Sequence, residues 1–479
     1  MLRRTGVSGE QLLYLDGAWV PGDGVQEIRD RWTGDVLGTV AIGGAVHARL
    51  AVDAAAGALE RPFEVPERSR VLAAVAAAVS ARADEFAAAI VAETGKPVTA
   101  ARGEVGRAVD TLTWAAEETK RITGEVVALD AVEAGAGTVA FTVAQPRGVV
   151  AAITPFNFPL NLVLHKVAPA LAAGNAVVLK PSDKAVLVAG LLVAAFERAG
   201  LPPGRLNLVT GPPAEIVDAW IDDPRVAVLT FTGSSKVGWE LKARSPRKQH
   251  VLELGSNTAM VVRADADLPR AAADAVTAAL SNSGQACVSL QRVYVERAVA
   301  PAFVEELAQR LGSVSYGDPR SPETMVGPLI TPEATSRLAG VIEAAVDDGA
   351  RVVVGGTVSD DGVLAPTLLV DVDDKSRVVC EEAFGPVVSV IEVDSLEDAL
   401  ARVNASDYGL NTSVYTSDLA SALTYARSAE AGSVLVNMPP SFRADHMPYG
   451  GVKDSGQGTE GVRYAIEELL HHKLVVLKP

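Results

Sequence analysis

From residue 148 onward, short apolar runs alternate with stretches of helical period. Val149-Val150-Ala151-Ala152-Ile153 reads as a strand, residues 159–173 as a helix, Ala176-Val177-Val178-Leu179 as a strand, and residues 184–199 as a helix. The two helical stretches stop at Gly174 and Gly200, residues suited to the left-handed turn that ends a helix. A strand at 206–209, a helix at 214–221 and a strand at 226–229 continue the alternation. Continuous apolar strands between helices predict a mostly parallel sheet covered on both faces. Upstream, residues 44–60 and 66–92 read as alanine-rich amphipathic helices. A second α/β unit begins after Gly255, where Leu268, Ala271, Ala272, Ala275, Val276, Ala279 and Leu280 recur at helical spacing. That spacing places Cys287 in the loop just beyond the helix. Further strands fall near Val352, Val387 and Val434. The C-terminal run His472-Lys473-Leu474-Val475-Val476-Leu477 reads as a strand with no evident partner within the chain. Together with residues 137–145, it is expected to extend the sheet of a neighbouring subunit.

Composition narrows the partners. The chain has 479 residues, 48% of them apolar, enough for two or three domains at about 150 residues each. Lys+Arg 43 against Asp+Glu 59 gives a formal charge of −16, which argues against nucleic acid and anionic membranes. A small basic pocket for an anionic substrate remains compatible with that balance. Two cysteines cannot form a disulfide framework and point to a reducing, cytoplasmic setting. Met1-Leu2-Arg3-Arg4 is basic, but no apolar run follows it, so no signal peptide is expected. The most apolar stretch, residues 185–196, is far shorter than the ~20 residues that span a bilayer.

Several strand ends carry candidate chemistry. Cys287 lies in Ser281-Asn282-Ser283-Gly284-Gln285-Ala286-Cys287, and Glu253 sits inside the apolar run Leu252-Glu253-Leu254-Gly255. A lone cysteine is ordinarily a small buried hydrophobe; a thiol and a carboxylate delivered by separate elements are also what acyl transfer through a thioester requires. In Thr154-Pro155-Phe156-Asn157-Phe158-Pro159 the prolines fix the backbone around Asn157. That amide either caps the next helix or donates to a developing oxyanion. Leu179-Lys180-Pro181-Ser182-Asp183 closes a strand at the edge where open α/β sheets bind ligands. There Lys180 can bond ribose hydroxyls, and Asp183 can accept from a 2′-hydroxyl while repelling a 2′-phosphate. Phe231-Thr232-Gly233-Ser234-Ser235 offers a close-approach glycine and helix N-terminal amides to a pyrophosphate. Glu381-Glu382-Ala383-Phe384-Gly385-Pro386 sets a carboxylate and a ring beside a rigid turn, either as a plain exposed loop or against a second ribose and a nicotinamide.

In order and spacing, these motifs resemble those of the aldehyde dehydrogenase superfamily over essentially the whole chain. Pro448-Tyr449-Gly450-Gly451-Val452-Lys453-Asp454-Ser455-Gly456 completes the set. The resemblance implies a catalytic thiol at Cys287, an oxyanion-hole amide at Asn157 and a general base at Glu253. It implies NAD, with NADP possible, contacted by Thr154, Pro155, Phe156, Lys180, Ser182, Asp183, Gly233, Ser234, Glu382 and Phe384. Asp183 stands where the family's ribose-reading glutamate falls, which favours NAD. No metal is implied. The implied fold is α/β: a Rossmann-type cofactor domain (1–123 and 147–255), an α/β catalytic domain (256–445) and a small β oligomerisation arm (124–146 and 457–479) serving a homodimer or homotetramer. Ser256 replaces a common second glycine and is expected, with Asn257, near the base.

The implied substrate tunnel runs past Phe158, Leu162, His165, Arg443 and His446, with Arg107 on a nearby helix. Cationic donors there suit a small polar or anionic aldehyde; alternatively, Arg443 and His446 brace the loop through Asp445. The run from Asp445 to Lys453 and His165-Lys166 are similar to the lactaldehyde, phosphonoacetaldehyde and non-phosphorylating glyceraldehyde-3-phosphate dehydrogenase branch. Ala286 stands where the last of these commonly has an arginine. The coenzyme-A-acylating branch lacks the base glutamate, so Glu253 favours release of a free acid over an acyl-CoA. A non-catalytic, nucleotide-binding or structural family member is the alternative from another class, opposed by the joint presence of Cys287, Glu253 and Asn157.

Overall fold

The parallel alternation is realised as two sheets, each with its own core. The computed structural model describes residues 9–479, so the basic N-terminal tetrapeptide lies outside the described residues. The first sheet has eight strands in the spatial order Gly456–Gln457, Gln249–Glu253, Val226–Thr232, Val149–Ile153, Ala176–Lys180, Leu206–Leu208, Leu13–Leu15 and Ala18–Val20. The five from Gln249–Glu253 to Leu206–Leu208 are parallel. Helices Asn161–Ala172 and Val186–Arg198 cover one face and Ala45–Leu59 and Pro213–Asp222 the other, which is why these strands are apolar on both sides.

The chain leaves the first sheet at Glu253 and enters the second five residues later at Thr258. This second sheet has seven strands, with Thr258–Val262 between Leu290–Glu296 and Asn411–Tyr415. It encloses separate apolar clusters around Val261, Leu338 and Ile391 on one face and Met260, Phe303 and Val295 on the other.

Two expectations need correction. The helix expected over 66–92 is two helices, Val65–Ala81 and Ala83–Thr94, parted at Arg82, whose φ of −118° and ψ of 26° are not helical. The C-terminal strand does have an internal partner: Leu470–Leu477 pairs antiparallel with Val139–Pro146 along its whole length. Pairing across more than three hundred residues carries no local signature, so sequence pattern could not reveal it. Within 457–479 only this strand joins the arm sheet; Val462, Ile466 and Leu469 pack into the first core. No helix of the described residues is long and apolar enough to cross a membrane.

Candidate active site

Strand order in the first sheet creates the crevice. From Val149–Ile153 the chain steps outward to Ala176–Lys180 and Leu206–Leu208, then returns to the other side of Val149–Ile153 with Val226–Thr232. Connections leaving the carboxyl ends of these two adjacent strands diverge, and open α/β sheets bind ligands at such a reversal. Thr154 to Asn157 leave one side of the crevice and Gly233 the other, with Glu253 in register beside Thr232.

Asn157 is clamped from both directions. Its Nδ2 donates to the Gln285 carbonyl at 2.9 Å, while Asn282 Nδ2 donates to the Asn157 carbonyl at 3.0 Å. Just beyond it, the Glu104 carboxylate accepts the amides of Leu160 and Asn161 at 2.9 and 3.1 Å. It thereby caps a helix that has no N-cap side chain of its own. Glu104 is itself paired with the buried Lys96 ammonium.

The loop that carries Cys287 is strained in a defined way. Asn282, Ser283 and Gly284 take successive φ values of 51°, 56° and 74°. Left-handed non-glycine residues cost about 1–3 kcal/mol each and persist where surroundings hold them. Here Ser283 Oγ accepts the Gly327 amide and Gln285 Oε1 the Ile330 amide, both at 2.9 Å. Gly284 is required sterically: a Cβ there would lie 2.1 Å from the Gly385 carbonyl oxygen. Cys287 emerges from this loop half-buried, its sulfur 3.0 Å from the Tyr449 hydroxyl. Burial pushes the thiol up to about 11, opposed by Tyr449 and Arg443 and reinforced by Glu382 and Glu253.

A cavity of about 220 Å³ joins these parts; Asn157, Leu162, Glu253, Cys287, Glu382 and Phe384 are among its walls. Unsatisfied polar groups fall on its lining residues and on their chain neighbours. Thr154 Oγ1, Asn157 Oδ1, Thr232 Oγ1, Ser235 Oγ and both Glu253 oxygens are buried without a hydrogen-bond partner among the described residues. Orphaned buried polar atoms are rare in a stable interior, and the four on the lining residues Asn157, Thr232 and Glu253 mark a place built for polar guests. Burial raises the Glu253 carboxyl well above the ordinary range, and the nearby Glu460 charge adds to it. Burial also works against the Glu460 charge, but Lys166 and Arg443 outweigh it and hold that carboxyl down to about 2.

The residues expected to contact a dinucleotide divide into two groups. Pro155, Phe156, Gly233, Ser234, Glu382 and Phe384 line the cavity, whereas Thr154, Lys180, Ser182 and Asp183 lie outside its wall. Glu382 accepts the Ser256 amide at 3.1 Å, and burial pushes its carboxyl up to about 7. A Cβ on Gly255 would sit 2.9 Å from Glu382 Oε2, so glycine permits that approach. Asn257 ties the same loop down by donating to the Val379 and Glu381 carbonyls. Phe384, at φ 53°, meets the Phe156 ring edge-on at 5.9 Å. Lys180 Nζ donates to Asp183 Oδ1 at 2.8 Å, leaving that carboxylate partly open to solvent.

Around the expected substrate-tunnel residues the bracing is redistributed. Neither Arg443 nor His446 reaches Asp445. Its carboxylate instead accepts two bonds from Arg107 (3.0 and 2.7 Å), one from Asn161 (3.0 Å) and one from His165 Nε2 (2.8 Å). Arg443 pairs with Glu460 at 2.9 Å, and exposed His446 stacks on Trp114 at 4.6 Å. His165 is wholly buried and, with its basicity lowered by burial and by Arg443, serves as a neutral donor. Phe158 lies between the Lys96 ammonium, 3.9 Å from its ring centre, and Arg107 at 5.9 Å. Sequence reasoning assigned no role to Tyr449, Glu460 or Glu104. A charge set between glycines, Gly458-Thr459-Glu460-Gly461, was the one available signal for Glu460.

With this geometry in hand, comparison with known proteins is informative. A family profile, Aldehyde dehydrogenase family, matches residues 19–475. A 3-sulfolactaldehyde dehydrogenase of Priestia aryabhattai is 40% identical over 465 residues, covering 97% of either chain. A lactaldehyde dehydrogenase of Methanococcus maripaludis is 34% identical over 471 residues, covering 97% of this chain and 99% of its own. The crystal structure of an NADP-dependent glyceraldehyde-3-phosphate dehydrogenase from Bacillus halodurans, complexed with NADP, superposes with a TM-score of 0.94. It is 32% identical, with coverage of 100% and 99%.

Proposed function

The chain belongs to the aldehyde dehydrogenase family, an NAD(P)-dependent oxidoreductase, and on that premise we propose that it oxidises a small polar or anionic aldehyde to its carboxylic acid. One observation carries the reading: a single cavity is walled jointly by the Cys287 thiol, the Asn157 amide and the unpartnered Glu253 carboxylate, beside Glu382 and Phe384.

In this scheme the Cys287 S–H proton passes to Glu253, which releases it to solvent before deacylation, and the sulfur forms a bond to the aldehyde carbon. The carbonyl pair moves onto oxygen, held by Asn157 Nδ2 and the Cys287 backbone amide. Glu382 and Phe384 would hold a nicotinamide at this cavity, which would supply the two-electron sink for the hydride leaving that carbon. Cys287 then carries a thioester. Glu253 takes a proton from water, whose oxygen adds to the acyl carbon; collapse expels the Cys287 thiolate and frees the acid. An uncommitted buried base favours hydrolysis over transfer to coenzyme A. Asp183 would repel a 2′-phosphate, which supports NAD as the preferred acceptor.

The substrate class is supported by the relatives' names, whose aldehydes carry a sulfonate, a hydroxyl or a phosphate. Arg107, about a third exposed, and Arg443 supply cationic donors on that side. The exposed apolar residues Val139, Val143, Leu474 and Val476 on the arm sheet support a homodimer or homotetramer.

The test is a panel of sulfonate, phosphonate, phosphate, hydroxy and plain alkyl aldehydes with NAD and NADP, scored by kcat/KM, with coenzyme A added in a parallel series. Polar or anionic members with NAD should lead by at least about tenfold. A long alkyl aldehyde leading the panel, or an acyl-CoA product, would overturn the proposal.

A further inference from the structure

Tyr449 is held more firmly than a passive wall residue needs to be. Its backbone makes an isolated antiparallel bridge with Glu460, with amide-to-carbonyl bonds of 3.0 and 2.6 Å in the two directions. The Arg443 guanidinium lies 3.7 Å from its ring centre and is itself anchored to Glu460 Oε2 at 2.9 Å. Backbone and ring are thus fixed from the same carboxylate-bearing segment, and the side chain is almost fully buried. One polar atom remains, the phenolic oxygen, and it sits 3.0 Å from Cys287 Sγ. Among the described residues the sulfur has no other hydrogen-bond partner, and Val288, Leu410 and Met447 pack with it as an apolar cluster.

A thiolate forming there would lose hydration and gain nothing from those three apolar side chains. Of the loop's backbone oxygens, the Cys287 carbonyl is contacted by Thr258 and the Gln285 carbonyl is taken by Asn157 and Asn282. Neither is a donor. A phenol O–H is a donor, and bonds to an ionised acceptor are the strong ones.

We propose that the Tyr449 hydroxyl is a further catalytic group of this enzyme, donating a hydrogen bond to the Cys287 sulfur as it ionises and fixing the direction from which that sulfur meets the carbonyl. The inference rests on the reading of Cys287 as nucleophile. Arg443 strengthens the device without touching the sulfur, because a cation over the ring polarises the phenol toward donation. The proton leaves the thiol for Glu253, and Tyr449 keeps its own. Once the S–C bond has formed the sulfur no longer bears charge, so the bond weakens and does not hold the acyl group back. Expulsion of the thiolate at the end of the cycle restores it. The charged and titratable groups facing this pair are Glu253 from the first sheet, Glu382 from the 381–386 loop, and Arg443 and Glu460, the last two held with Lys166 and His165. Burial and the Cys287 sulfur raise the phenol well above its ordinary value, so Tyr449 stays protonated and able to donate throughout the working range.

The experiment measures the pH dependence of Cys287 alkylation by iodoacetamide in the full chain. Cys287→Ala serves as the blank, and NAD binding is followed alongside to confirm the fold. Tyr449→Phe keeps the ring and the Arg443 stacking and removes only the donor. Its alkylation midpoint should rise by about one pH unit, so that the rate near pH 7 falls about tenfold while the high-pH plateau is unchanged. Site-specific 3-fluorotyrosine at 449 preserves shape and makes the phenol a better donor, so its midpoint should fall below that of the parent. Midpoints unmoved in both variants would overturn the role of Tyr449. If alkylation of the parent leaves turnover intact, the nucleophile assignment itself fails, a result distinguishable from the first.

Discussion

Glu253 and Asp445 are both buried carboxylates, yet their surroundings are opposite. Asp445 accepts four hydrogen bonds from Arg107, Asn161 and His165 and is held below the ordinary carboxylate range, those donors outweighing the penalty of its burial. Glu253 accepts none, and burial drives it upward. A fully donated carboxylate is a fixed structural anion whose proton affinity has been spent on its neighbours. A carboxylate without donors is costly to bury and retains that affinity, which a general base needs. The contrast separates brace from base more clearly than residue type or burial could. Glu460 stands between the two: paired with Lys166 and Arg443, yet close enough for its charge to raise Glu253.

The contrast can be broken from either side. Cys287→Ala should have the largest effect, abolishing turnover by at least about 10⁴-fold while NAD binding, followed by fluorescence titration, is retained. A variant oxidising aldehyde at the parent rate would end the covalent scheme. Glu253→Gln should slow turnover by about 10²–10⁴-fold and accumulate an acyl adduct on Cys287, read by intact-protein mass spectrometry. Loss of activity with no adduct during turnover would mean that the limiting service of Glu253 is to the Cys287 thiol, before the thioester, and not to the water that hydrolyses it.

Asp445→Ala tests the brace. It strands Arg107 and Asn161, and removing one partner of a buried pair costs about 3–5 kcal/mol. Because Arg107 is about a third exposed, the low end, about 3 kcal/mol, is expected in denaturant unfolding. The sign against pH follows from the lowered carboxyl: its contribution is fully present above its ordinary value of 3.8 and is lost as pH falls below that. A parent enzyme equally stable with and without Asp445 at pH 7 would remove the brace from the account.

The smallest effect links the two regions. Glu253 works as a base only when ionised, so the rate of deacylation should fall as pH drops through a midpoint above 4.5. Glu460→Gln removes a neighbouring negative charge and leaves Arg443 and Lys166 less compensated. Both changes favour ionised Glu253, and the acidic limb of the kcat profile should shift to lower pH. A shift to higher pH would mean that the two carboxylates do not interact as described.

Much of the architecture was legible because it is written locally. Continuous β-branched runs between helical stretches predicted the parallel sheet, and Gly-Pro turns at strand ends marked where the crevice would open. The break at Arg82 escaped because alanine-rich sequence has the same period on both sides of it. The pairing of Leu470–Leu477 with Val139–Pro146 escaped because register across that separation is set by packing, not pattern. Residue type suggested that Arg443 braces Asp445; the fold instead hands that work to Arg107, His165 and Asn161, which lie on two other helices.

The sequence by itself determined which chemical groups are available: one thiol on a glycine-punctuated loop, an amide locked between prolines and a carboxylate at the end of an apolar strand. Hydrophobic periodicity and turn residues act over a few positions, so elements and their ends follow directly from them. Tertiary structure alone decided which carboxylate is donated to and which is left bare, and that a phenol would face the sulfur. Those outcomes depend on distances between segments far apart in the chain, and proton affinity is set by what stands within a few ångströms, whatever its place in the sequence.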